Sequence, residues 1–391
     1  MTREKTFQVA QRVQELPPYL FARIDKMKQE VKARGVDVIS LGIGDPDQPT
    51  LLSVVEAMGK AIHDPNNHQY PAYEGSLAFR QSCAVYLKKR LGISLDPDKE
   101  ILALIGSKEG IGHLPFAFVD PGDITLVPDP GYPVYATATR FAGGEPYLMP
   151  LREDNAFLPD LKRIPVSVWK RAKILFLNYP NNPTGAKANR AFFEQALDLA
   201  SRYGVLVAHD AAYFEVYTGK ERPLSILEID GARDWAIEFH SHSKTYNMTG
   251  WRIGFAAGSP KAIDALGRIK NNLDSGAFTA IQDAAAIANL LPESERNKVR
   301  RVYAERRKLA LSLLRKAGFQ VFDQGATFYL WVRVPQGMTS ADFAMKALDQ
   351  AGVVITPGNG FGQYGEGYFR VTLCAETERL REALTRLASL S

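Results

Sequence analysis

The stretch AIEFHSHSKTYNMTGWRIGFAAG (236–258) carries two short apolar runs, AIEFHS and RIGFAAG, on either side of a polar turn. Each run is too short for a buried helix, and its continuous apolar texture suits a strand covered on both faces. Lys244 sits in the turn between Ser243 and Thr245. A lysine that follows an apolar strand and is flanked by small hydroxyl residues is poorly explained as a solvated surface charge. A desolvated amine has a lowered pKa and becomes a nucleophile toward carbonyls.

Runs of the same texture lie upstream: ILALIG (101–106), DITLVP (123–128), GEPYLM (144–149), KILFLN (173–178) and VLVAHD (205–210). They alternate with segments long enough for helices, which predicts an α/β layered domain with seven strands in a mostly parallel sheet. From residue 292 the texture changes. A charged helix is expected over 294–317, a strand pair at FQVFDQG (319–325) and TFYLWVRV (327–334), a helix over 340–352, and a strand in GYFRVTL (367–373). PPYLFARIDKMKQEVKARG (17–35) reads as a helix with one apolar face, which needs a partner in this C-terminal α+β unit. The expected organisation is an arm and part of a small domain in 1–44, a large domain in 45–293 and a small α+β domain in 294–391, with ligands in the crevice between them.

With 391 residues, 46% of them apolar and 10% aromatic, disorder is excluded as the main state. Forty-eight Lys and Arg against 43 Asp and Glu leave a formal charge of +5, spread along the chain. The densest basic stretch, 296–316, sets Val299, Val302, Leu309, Leu313 and Leu314 on one side, so its charges read as the solvated face of an amphipathic helix and not as a nucleic-acid stripe. Cys83 and Cys374 make neither a disulfide framework nor a metal knuckle, which suits a reducing compartment. The N-terminus lacks an apolar signal core and no uncharged run reaches membrane length, so a soluble, cytoplasmic protein without a membrane partner is expected. Asn247-Met248-Thr249 matches a glycosylation sequon, which carries no information without a secretory signal.

Ligands of open α/β sheets sit beyond the carboxyl ends of the strands. Five of those ends are polar here. Gly106-Ser107-Lys108-Glu109-Gly110 opens a helix and can aim N–H groups, a hydroxyl and an ammonium at a phosphate. Asp129-Pro130-Gly131-Tyr132-Pro133 is a tight turn that can present the Tyr132 ring for stacking. YPNNPTG (179–185) offers the Asn182 amide, and HDAAY (209–213) puts the Asp210 carboxylate at a strand tip with the Tyr213 phenol three residues on. After the last strand tip come Ser241, Lys244 and the fork-shaped Arg252. Pyridoxal phosphate calls for this set: an amine for its aldehyde, a carboxylate for its ring nitrogen, donors for its phenolate, a stacking ring, and hydroxyl and cationic groups for its phosphate.

The segments YPNNPTG, HDAAY and SHSKTYNMTGWRIG (241–254) resemble the most diagnostic segments of the fold-type I, class I and II pyridoxal-phosphate aminotransferases, and the likeness runs from end to end of the chain. It implies an aspartate-aminotransferase-like fold and a homodimer with active sites at the subunit interface. It also implies covalent cofactor attachment at the catalytic Lys244, ring-nitrogen pairing by Asp210, phenolate contacts from Tyr213 and Asn182, and phosphate contacts from Ser107, Lys108, Ser241 and Arg252. A tyrosine of the neighbouring subunit reaches the phosphate in this family; Tyr70 in HQYPAYEG (68–75) is the candidate, with Tyr73 behind it. Arg370 in GYFRVTL matches the arginine that grips the substrate α-carboxylate, helped by the backbone of Gly44 in LGIGDPD (41–47) and by Asn182. His242 stands where many relatives have an apolar residue, and packing is the expected role.

Two motifs mislead. Gly360-Phe361-Gly362-Gln363-Tyr364-Gly365 satisfies G-x-G-x-x-G, but a strand follows where a dinucleotide site needs a helix; near Arg370 it reads as a loop that can act as a lid. His240-x-His242 resembles a metal pair, yet no further ligand joins it and Lys244 would repel a cation, so no metal is expected. Residues 17–47, LALIGSKEG (102–110) and ITPGNGFGQYGEGYFR (355–370) are similar to the branch that transfers an amino group from glutamate to tetrahydrodipicolinate, forming LL-diaminopimelate for lysine synthesis. Glu74 and Lys108 are candidates for the distal end of such a substrate. An aspartate, alanine or aromatic aminotransferase would use the same core residues, and a C–S β-lyase would share Lys244 and Asp210. A regulator that fuses this fold to a DNA-binding module is disfavoured, because no extra domain precedes the arm.

Overall fold

The structure is a computed structural model that describes residues 7–14, 16 and 28–391. The expected helix in 17–35 therefore falls largely outside the described residues, of which 28–33 are helical.

Seven strands form the large sheet: β2 (Ile101–Leu104), β3 (Ile124–Asp129), β4 (Glu145–Pro150), β5 (Ala172–Asn178), β6 (Leu206–Asp210), β7 (Ala236–Ser241) and β8 (Gly254–Gly258). Their order is β2-β8-β7-β6-β5-β3-β4. Successive side chains enter opposite cores, as the pleat requires. In β5, Leu175 and Leu177 join one core while Ile174 and Phe176 join the other. β2 does the same, with Ile101 and Ala103 on one face and Leu102 and Leu104 on the other. Two buried faces explain why the runs are continuously apolar instead of alternating.

β8 alone runs antiparallel to both neighbours. The segment joining it to β7 contains only a four-residue helix, His242–Thr245, and no crossover helix, so the chain doubles back on the adjacent strand. That reversal positions the site. Gly254 pairs with Ser241 on one side and with Leu104 on the other, so the ends of β2 and β7 and the start of β8 lie in one row.

A second unit holds a four-stranded antiparallel sheet, β12-β13-β10-β9, from β9 (Val321–Phe322), β10 (Tyr329–Arg333), β12 (Thr356–Pro357) and β13 (Tyr368–Thr372). β1 (Ile39–Ser40) pairs in parallel with β11 (Val353–Val354). Ile39 and Leu41 share a core with Val299, Phe343, Phe369 and Leu384, so the segment after the arm packs with the C-terminal third.

The helix Glu293–Lys316 departs from its solvated-face reading. Arg296, Arg300, Arg306 and Arg307 are buried. Arg300 pairs with Glu215 at 2.6 Å, Arg306 with Asp47 at 2.6 Å, and Arg307 with Asp323. Carboxylates distant in sequence absorb these charges, which no local periodicity reveals. No helix among the described residues is long and apolar enough to cross a membrane.

Candidate active site

A cavity of about 370 Å³ opens over the carboxyl ends of the large sheet. Its walls include Gly44, Ser107, Lys108, Tyr132, Asn182, Asp210, Tyr213, Ser241, Lys244, Arg252 and Arg370, the site residues expected from the sequence apart from Tyr70, its fallback Tyr73 and the distal-end candidate Glu74. Residues up to 326 positions apart meet because most of them end a strand of the large sheet or lie in the segment that follows one, while Arg370 reaches the cavity from within β13.

Lys244 projects from the short helix after β7. Its Nζ donates to the Gly44 carbonyl at 3.2 Å and lies 5.5 Å from the Phe328 ring centroid. Burial lowers its pKa, and the nearby Arg252 and Arg370 guanidinium groups act in the same direction. A neutral amine is therefore more accessible here than on a surface lysine.

Asp210 ends β6. Its Oδ2 accepts from the Tyr135 hydroxyl at 2.7 Å and its Oδ1 from the Ala212 amide at 3.1 Å. Burial raises its pKa, and these two donors offset that only in part. Asn178, the last residue of β5, donates from Nδ2 to the Asp210 carbonyl at 2.8 Å and accepts the Asn182 amide on Oδ1 at 2.7 Å. It thus ties the carboxylate strand to the YPNNPTG loop.

Arg370 on β13 donates from Nη1 to Asn182 Oδ1 at 2.8 Å and from Nη2 to the Gly42 carbonyl at 2.6 Å. Its guanidinium lies between aromatic faces, with Cζ 4.0 Å from the Tyr329 centroid and 4.8 Å from that of Phe361. Because Asn182 Oδ1 accepts from Arg370, the amide Nδ2 is the donor left for a ligand. The Tyr213 and Tyr329 hydroxyls are 3.0 Å apart.

At the other end of the cavity, Gly106 precedes the helix Ser107–Phe118 with φ +73, and a Cβ there would stand 2.5 Å from Arg252 Nη2. Glycine lets the guanidinium settle against the helix N-terminus. Arg252 Nη1 donates to the Thr249 carbonyl at 2.8 Å. Ser107, Ser241, Ser243 and this cation line one end, a donor set matched to a phosphate.

The remaining expectations fall elsewhere. Tyr70 is 89% exposed and Tyr73 is exposed, and neither lines this chain's cavity. Glu74 is exposed and also outside it. His242 turns into the core, its Nε2 2.9 Å from Asn289 Oδ1 and its ring among Phe79, Tyr246 and Phe255. Burial pulls its pKa down to about 4. His240 lies 2.8 Å from Glu238, so the two histidines have separate partners. The loop before β13 is pinned: Asp129 accepts the amides of Gln363 and Tyr364 at 3.2 and 3.1 Å, and the Gly131 amide donates to the Phe361 carbonyl at 2.9 Å. Gly362, at φ +133, leaves room for that carboxylate, which a Cβ would strike at 2.0 Å. That use of its glycines has nothing to do with a dinucleotide.

Tyr135, Asn178, Ser243, Thr249 and Tyr329 belong to the site and were not singled out from sequence. Asn178 had a signal, since it is the polar last residue of an apolar strand. Tyr135 and Tyr329 are buried like core aromatics, and only their hydroxyl partners distinguish them.

The geometry agrees with three comparisons. The family described as aminotransferase class I and II matches residues 36–387. An LL-diaminopimelate aminotransferase of Aquifex aeolicus is 54% identical over 384 residues, 98% of this chain and 99% of that protein. One of Nitratidesulfovibrio vulgaris is 56% identical over 385 residues, again covering 98% of this chain and 99% of the relative. Among solved structures, a Thermus thermophilus aspartate aminotransferase variant superposes with a TM-score of 0.92 at 28% identity, covering 99% of this chain and all of that one. A seven-stranded sheet with one reversed strand, a lysine in the reversing loop and a match over almost the whole sequence have one common reading: this chain belongs to the class I and II aminotransferases and is an enzyme of that family.

Proposed function

We propose that the chain binds pyridoxal phosphate and transfers amino groups between LL-diaminopimelate and 2-oxoglutarate, running toward LL-diaminopimelate for lysine synthesis. The observation that carries the cofactor is the set of groups lining one cavity: a phosphate-type donor set around Ser107 and Arg252, a desolvated amine at Lys244, and a buried carboxylate at Asp210 whose two donors only partly offset its burial. The Gly106 cradle, which a Cβ would fill, fits a phosphate held against Arg252. The curated relatives, above half identical over nearly the full length, carry the choice of substrate.

When bound, pyridoxal phosphate supplies an aldehyde that exchanges amines and a protonated pyridine ring that draws electrons from the substrate Cα–H bond. Asp210 would meet that ring proton and be stabilised by it, since a cation beside a buried carboxylate lowers its raised pKa. Tyr213 and Asn182 Nδ2 would donate to the phenolate, Tyr132 would offer a ring for stacking, and Ser107, Lys108, Ser241 and Arg252 would hold the phosphate. Arg370 takes the substrate α-carboxylate on its planar fork, oriented beforehand by Asn182 and Gly42, with the Gly44 amide assisting. Lys244, whose amine lies in the cavity and is desolvated, would move a proton at the substrate Cα as general base and acid.

The active site is completed in a homodimer, in which Tyr70 of one subunit enters the cavity of the other; its exposure in the single chain supports this. The ligand lies in the crevice between a large domain, 45–293, and a small one built from 1–44 and 294–391. The protein acts in the cytoplasm. Purified protein loaded with cofactor is tested for amino transfer to 2-oxoglutarate from LL-diaminopimelate, aspartate, alanine and aromatic amino acids, with cystathionine as a probe of elimination. Glutamate formed efficiently from LL-diaminopimelate alone is the expected result. Preference for another donor would replace the substrate, and pyruvate with ammonia from cystathionine would replace the reaction.

A further inference from the structure

Tyr329, on β10, is a buried phenol that touches three parts of the site at once. Its hydroxyl is 3.0 Å from that of Tyr213, and the two rings meet edge to face at 5.5 Å. The opposite contact is ionic: Arg370 Cζ stands 4.0 Å from its ring centroid. The third is steric, because a Cβ on Gly44 would lie 2.0 Å from its hydroxyl oxygen, so residue 44 must be glycine for this ring to fit. The titratable and charged groups that face Tyr329 are Arg370 from β13, Tyr213 from the segment after β6, Cys374 beyond β13 and Asp45 from the segment after β1.

We propose that Tyr329 is a positioning residue that couples the substrate-carboxylate subsite at Arg370 to Tyr213, the phenol facing the cofactor. The proposal rests on the cofactor reading given above. A phenol has one O–H to give. Tyr213 spends its own on the cofactor phenolate, so its oxygen accepts and the Tyr329 hydroxyl is the donor. Donation into a phenol oxygen strengthens the hydrogen bond which that phenol makes in turn. The Tyr329 hydroxyl therefore draws charge from the cofactor phenolate at second hand, and with it lowers the basicity of the conjugated nitrogen joined to Lys244. Its ring does separate work by holding the guanidinium of Arg370 in a face contact.

The two roles separate by substitution. Tyr329→Phe keeps the ring and deletes the hydroxyl; Tyr329→Leu deletes both. In the full-length protein loaded with pyridoxal phosphate and without substrate, the pH midpoint of the visible absorbance reports the proton at the lysine-bound cofactor. Losing one hydrogen bond of ordinary net strength corresponds to a midpoint about half a unit to one unit higher in Tyr329→Phe. The KM for 2-oxoglutarate should move little in that variant and rise about tenfold in Tyr329→Leu, where Arg370 loses its aromatic face. A merely structural tyrosine would lower thermal stability in both variants without moving the midpoint. An unchanged midpoint in a Tyr329→Phe protein that melts like the parent would overturn the coupling. A parent protein that acquires no visible band with pyridoxal phosphate overturns the cofactor reading and the proposal with it, and that result is seen before any variant is made.

Discussion

Two buried carboxylates stand on neighbouring strands one residue apart in register, and their surroundings are opposite. Glu238 on β7 pairs across from His209, while Asp210 on β6 pairs across from Phe239. Glu238 accepts from the Ser225 hydroxyl at 2.8 Å, from the Ile226 amide at 3.1 Å, and stands 2.8 Å from nitrogens of both His209 and His240. Burial would raise its pKa, but the His209 and His240 hydrogen bonds hold it well below the usual carboxylate range. Asp210 has one phenol and one amide, and burial prevails, raising its pKa. Depth alone does not separate a structural acid from a functional one. Glu238 finds its hydrogen-bond partners inside the fold, whereas Asp210 has room for one that a bound ligand would bring.

The contrast is broken most directly at Asp210. Asp210→Asn should lower kcat by about 10²–10³-fold, the scale of a lost electrostatic contact to the reacting system, with a melting temperature no lower than the parent's. Steady-state kinetics and calorimetry on the same preparation check both halves. Glu238→Gln should do the reverse. It sets an amide NH₂ among donors and costs about 3 kcal/mol of stability in denaturant titrations, with kcat within a few-fold of the parent below the transition.

His242 sharpens the comparison by adding a buried base with no acid beside it. Its pKa falls from 6.5 to about 4 on folding, so the unfolded chain takes up the proton first as pH drops. Its contribution is intact above about pH 6.5 and lost progressively toward pH 4, by up to about 3 kcal/mol. Melting temperature against pH should steepen in that window, and His242→Phe should flatten it. The smallest effect belongs to Tyr135→Phe, which removes one hydroxyl from Asp210 and should lower kcat/KM about tenfold.

All seven strands of the large sheet were legible in the sequence, because all but the edge strand β4 are largely buried and the runs are predominantly apolar. The reversal of β8 was not, since strand direction depends on whether the connection folds over the sheet, and residues 242–253 show this only through the lack of helix-forming length. The strand-end residues Asp210, Asn182 and Lys244 were legible as polar groups closing apolar runs. Tyr135 and Tyr329 were not, because a buried phenol reads as core until its partner is seen. The four buried arginines of the helix Glu293–Lys316 were misread for the same reason, with carboxylates such as Asp47 and Glu215 lying far away in the chain. Tyr70 stays outside this chain's cavity, and only in the proposed homodimer would it serve a site, that of a second subunit.

The central claim is that Lys244 and Asp210 serve amino transfer, and a half-reaction tests it without help from any second substrate. Holoprotein mixed with LL-diaminopimelate in the absence of an oxo acid should convert its cofactor from the aldehyde to the amine form once per active site, with no free ammonia, and Lys244→Ala should not. Continued turnover with ammonia release, or a Lys244→Ala protein that converts its cofactor at the parent's rate, would contradict the account.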